Sequence, residues 1–130
     1  MTPRASAWML QSSSDLEAAK TLAQAGFHAH ACYIASQAAE KALKALVVAA
    51  GLTPPYSHSL ERLVDLLKAQ GLATEAFEPL HLKALTRMNS QSRYPSADEA
   101  PADLFDANDS QQALTTAARV VEAASALLAG

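Results

Sequence analysis

SQAAEKALKAL, residues 36–46, decides the fold. Ala38, Ala42, Ala45 and Leu46 return at three- and four-residue intervals, and so do Gln37, Glu40, Lys41 and Lys44 between them. Both sets carry the period of an α-helix, and a strand would instead alternate every second residue. Extended backwards, the polar set gains His30 and Tyr33, and all six side chains fall within an arc of roughly 100°. The opposite side gathers Phe27, Ala31, Ile34, Ala35 and Ala49 with the residues already named. So many alanines allow a neighbouring helix to approach closely. The polar stripe has two readings. It is a solvated face supported by Glu40 four residues before Lys44, an arrangement worth about 0.3–0.5 kcal/mol, or it is a surface that a ligand or partner reads.

Outward from this helix the punctuation is glycine. Gly26, Gly51 and Gly71 each follow a helix-like segment, where a glycine closes the last turn in the left-handed conformation. Helical segments are expected at about 5–25, 28–50, 59–70, 76–90 and 108–128. Ser57 or His58 is the expected N-cap of the third. Pro79 makes the regular part of the fourth start late. Asn108-Asp109-Ser110-Gln111 has the spacing of a capping box for the last. With 5% aromatics and no segment of strand-like alternation, the expected class is all-α. The architecture is an antiparallel up-and-down bundle of four principal helices and one short helix, a single domain over 1–130. Residues 90–106, SQSRYPSADEAPADLFD, form the one long loop, and loops of that length in small bundles are more often functional or mobile than neutral.

Composition excludes several functions. A net charge of −3 gives no strong nucleic-acid signal and does not suit an anionic membrane surface. The lone Cys32 excludes an internal disulfide and fits a reducing compartment. No apolar run reaches the length of a membrane span and the first residues do not read as a signal peptide, so a cytoplasmic location is expected. No two glycines stand close enough to cradle a phosphate. His28 and Cys32 are four apart but lack a second ligand pair, and Asp98, Glu99 and Asp103 read as solvated loop charge. No metal or cofactor is therefore expected.

Three motifs in order, SQAAEKALKAL, HSL (58–60) and SRYP (92–95), together with Trp8, Asp15 and Leu16 ahead of them, make the chain similar to the HEPN domains of prokaryotes. The resemblance runs over nearly the whole chain. It implies a helical bundle that forms a homodimer, and a place in the branch associated with minimal nucleotidyltransferases in toxin–antitoxin-like systems, with a nucleotide ligand or that enzyme as partner. HEPN ribonucleases carry an arginine followed after four to six residues by a histidine. None of Arg4, Arg62, Arg87, Arg93 or Arg119 has one there, so the resemblance implies a non-catalytic protein. An RNA-cleaving toxin with an atypical site is the alternative.

The expected binding residues are Arg93 and Tyr94 in the loop, Gln37, Glu40, Lys41 and Lys44 on the stripe, and His58 at the start of the third helix. An arginine fork can hold a phosphate by two hydrogen bonds, and a tyrosine can stack on a base or pack beneath the arginine. Pro95 restricts Tyr94 and makes its presentation reproducible. His58 caps its helix or meets a phosphate near that helix's amides. Arg93 serves as a ligand contact or pairs with Glu40 to staple the loop to the bundle.

Overall fold

A computed structural model describes residues 2–130. The chain folds as α1 (Pro3–Gln24), α2 (His28–Ala49), α3 (Leu60–Ala69), a 3-10 turn (Glu75–Phe77), α4 (Leu82–Gln91), the one-turn α5 (Pro101–Leu104) and α6 (Ala107–Ala129). The described residues contain no strand. The all-α helical bundle expected from periodicity is what forms.

Its centre is α2. Fifteen of the 22 residues of α2 are buried, because α1 and α6 flank it along much of its length and α3, α4 and α5 pack on its remaining sides. Ala31, Ala35, Ala38, Ala39, Ala42 and Ala45 are all fully buried. Small side chains let the neighbouring backbones come close, and the hydroxyl of Ser12 on α1, itself fully buried, donates to the Ala38 carbonyl at 2.6 Å. Leu43, Leu60, Leu63, Leu67, Leu85, Val47 and Val120 supply the larger volumes of the same core.

The helix ends obey local chemistry. Thr2 caps α1 by accepting from the Ala5 amide at 3.1 Å, and Pro3 takes the first helical position. Gly26 has φ of +88° and lets the chain reverse into α2 within three residues. Two expected caps are corrected. The N-cap of α3 is Ser59, whose hydroxyl accepts from the Arg62 amide at 3.2 Å, in place of Ser57 or His58. The capping box of α6 is Asp106 with Asp109, two residues before the expected start: each carboxylate accepts from the other's backbone amide, at 3.1 and 2.9 Å. Hydrogen bonding, above all from the Asp109 amide and with help from the Asn108 amide, holds the Asp106 carboxyl below its ordinary pKa of 3.8.

The expected fourth segment divides. Phe77 sits in the 3-10 turn, and α4 starts only at Leu82, beyond Pro79. The long loop also contains α5, and the amides and carbonyls of Ser96 and Glu99 pair at 3.2 and 3.1 Å to close a turn, with Ala97 at φ of +52°.

The start of α3 is tied to α4 through Thr86. Its hydroxyl accepts from the Leu60 amide at 3.0 Å and donates to Glu61 Oε1 at 3.0 Å. Partial burial pushes the Glu61 carboxyl up, but hydrogen bonds from the Ser59 hydroxyl, its own amide and Thr86 outweigh it and hold the pKa below 4.5. A lowered folded pKa gives stability that is present above the unfolded value and lost as pH falls through the folded one. Thr86→Val should cost about 1–2 kcal/mol at pH 7. Urea melts should show that difference narrowing as pH drops below 4.5.

Candidate functional site

The stripe on α2 is not a solvated face. Since α2 is covered on most sides, its polar residues from Tyr33 onward meet other elements, Glu40 and Lys44 are 5% and 9% exposed, and only His30 near the start stays exposed. Glu40 joins two partners. Its Oε2 accepts from Lys44 Nζ at 2.9 Å, and its Oε1 lies 2.8 Å from His58 Nδ1. A carboxylate only accepts, so Nδ1 carries the proton, and Nε2 remains as the second nitrogen of a side chain that is 55% exposed. His58 is thus fixed by Glu40 and does not cap α3.

One turn earlier Gln37 Nε2 donates to Asn89 Oδ1 on α4 at 2.8 Å. On the other flank Lys41 Nζ meets Asp15 Oδ2 of α1 at 2.5 Å, while Gln11 donates to the second Asp15 oxygen at 2.9 Å. The helix reads across itself as a polar seam: α4 at Gln37, the chain before α3 at Glu40, α1 at Lys41. No buried side-chain nitrogen or oxygen among the described residues lacks a hydrogen-bond partner.

Arg93 stands at the end of this seam. It follows Ser92, the C-cap of α4, and the amides of Arg93 and Tyr94 both close on the Ser90 carbonyl, at 3.1 and 3.3 Å. Its Nε donates to the Asn89 carbonyl at 2.6 Å. The guanidinium carbon lies 4.6 Å from the Tyr33 ring centroid and 5.0 Å from that of Tyr94. Two rings and one carbonyl therefore orient the group, a favourable arrangement for a cation on aromatic faces. Arg93 does not pair with Glu40, whose two oxygens are taken, and no ion pair to Arg93 forms among the described residues. Lys41 and Lys44 are each neutralised by a carboxylate, and Arg93 is not.

The structure brings Gln37, Arg93 and Tyr94 together through Asn89 and Tyr33, and Glu40, Lys44 and His58 together a turn away. Sequence reasoning missed Asn89, which joins Gln37 to Arg93. Its signal was a polar residue four after Leu85 on the apolar face of α4. Tyr33 was legible only as part of the stripe. Trp8 lines a shallow hollow with Arg4, Ala7, Gln11 and Lys41 beside the seam.

Cys32 is fully buried, and its thiol is pushed up to about 12 by burial, then by the nearby carboxylates of Asp109 and Asp106. It is no nucleophile near neutrality. At pH 8 a thiol reagent should label it only in denaturant. Because the folded pKa is raised from 9.0, the protonated thiol favours the fold below pH 9, and that contribution should fade as pH rises toward 12. Among the described residues no three His, Cys, Asp or Glu side chains gather as a metal site.

A model of the HEPN domain matches residues 5–127. Among solved structures, TT1696 from Thermus thermophilus is 27% identical and superposes with a TM-score of 0.88, covering 97% of this chain and 99% of that one. ST0689, an archaeal HEPN homologue, is 22% identical with a TM-score of 0.71, covering 97% and 98%, a likeness of fold. No curated protein matches the chain.

Proposed function

The chain belongs to the HEPN domain family, and on that premise we propose that it is a non-catalytic binding subunit. It acts as a homodimer, recognises a nucleotide phosphate through Arg93, and partners a minimal nucleotidyltransferase in a toxin–antitoxin-like system. The observation that carries this reading is the Arg93 clamp. The guanidinium is held by Asn89, Tyr33 and Tyr94 and is not neutralised by a carboxylate. A fork oriented before its anion arrives loses less rotamer entropy on binding. Tyr94, 60% exposed, offers a ring face to a base. Gln37, which also bonds Asn89, and the exposed His58 are the residues assigned to sugar or further phosphate contacts.

The test is equilibrium binding of fluorescent nucleoside triphosphates to the purified chain. Saturable binding that weakens with added salt is expected, as for a contact to phosphate. Absence of binding to every nucleotide, alone and with a nucleotidyltransferase present, contradicts the proposal.

One observation favours a second reading, RNA cleavage by an atypical site. Glu40 orients His58 as a carboxylate orients a general base, leaving Nε2 available. Incubation with RNA separates the two. The binding-subunit reading expects intact RNA, whereas cleavage lost in His58→Gln establishes the alternative.

A further inference from the structure

We propose that the groove between α4 and α6, away from the polar seam, binds an amphiphilic anion such as a medium-chain carboxylate. The groove has a volume of about 650 Å³, within the range of small-molecule sites. Its two walls differ in chemistry. Leu80, Ala84, Leu85 and Met88 make an apolar wall on the α4 side. On α6 the facing wall presents Gln111, Gln112, Thr115 and Thr116, neutral hydrogen-bonding groups at helical spacing, and ends at Arg119. From Asn108 to Arg119 that wall runs about 16 Å along the helix axis.

The charge pattern selects the ligand. In a chain of net charge −3, this lining includes Arg119 and His81 and no aspartate or glutamate. Arg119 is exposed and forms no ion pair among the described residues. An alkyl tail lies against the α4 wall, where it displaces water from leucine and methionine side chains. The head group takes the Arg119 fork, which fits a carboxylate bidentately. A fully apolar ligand would leave the amide and guanidinium wall unanswered, and a small anion such as acetate would leave the α4 wall wet.

The experiment titrates the full chain with octanoate, 1-octanol and acetate, following amide shifts by NMR. Octanoate should give saturable shifts confined to the α4 and α6 walls, with 1-octanol and acetate each at least tenfold weaker. Arg119→Gln should weaken octanoate at least tenfold and leave 1-octanol unchanged. Thr115→Phe, at an exposed position of the α6 wall, should block both without changing the melting temperature. Three results overturn the proposal: no saturable shift in these walls, octanoate binding untouched by Arg119→Gln, or shifts of the same resonances with protein concentration alone, which would make a second copy the occupant.

Discussion

Lys44→Ala should destabilise the fold by about 3 kcal/mol, because it removes one member of a buried ion pair and leaves the other in place. Glu40 and Lys44 side chains are 7% and 11% exposed, and their 2.9 Å bond lies within the most covered helix of the bundle. The carboxylate of Glu40 would keep His58 on one oxygen but lose its buried ammonium, which places the cost at the low end of the range for broken buried pairs. Replacing both residues with apolar side chains of similar length, E40L with K44M, should recover most of the loss, since neither desolvated charge then remains. Chemical denaturation of Lys44→Ala, of E40L and K44M singly, and of the E40L/K44M double variant provides the check. Additive losses in the double variant would mean that the pair does not act as a unit.

Phe77→Ala should cost about 3–5 kcal/mol, the usual loss on emptying a fully buried aromatic site. Phe77 is the largest of the fully buried side chains, yet it comes from a three-residue turn with little structure of its own to lose. The connection from α3 to α4 therefore depends on this one ring reaching the core beside α6. The same denaturation series reads the loss, and amide exchange should show residues 72–81 opening first. Phe77→Leu should recover more than half of the stability, because the leucine refills much of the volume.

These two sites also show what the sequence made legible. The fold class, the glycine stops and the extents of α1, α2, α3 and α6 follow from local rules, and each helix end with a positive-φ glycine stands where glycine punctuates the chain. Burial of the stripe does not follow from local rules. Periodicity places Glu40 and Lys44 opposite the apolar arc, which for a helix on the outside of a bundle means water. Here α2 is the central helix, and α3, α4 and the chain before α3 cover the side that a sequence pattern assigns to solvent. Phe77 escaped for a related reason. Its spacing to Leu80 and Ala84 fits a helix, and only the Pro79 break and the pull of the core place it in a separate turn. In the candidate site the arginine and its tyrosine were legible from SRYP. Their support was not: the Tyr33 ring reaches Arg93 only through the docking of α4 on α2, and the local bond from Arg93 Nε to the Asn89 carbonyl depends on how the chain leaves α4.

The central claim is that Arg93 is a ligand contact held ready by its neighbours, and calorimetric titration of wild type and Arg93→Ala with nucleoside triphosphates tests it most directly. The account predicts at least a tenfold loss of affinity in the variant, about 1.4 kcal/mol, with a melting temperature close to that of wild type because Arg93 is an exposed residue. A variant that melts several degrees lower yet binds every nucleotide as wild type does would contradict it, and would make Arg93 a staple of the loop alone.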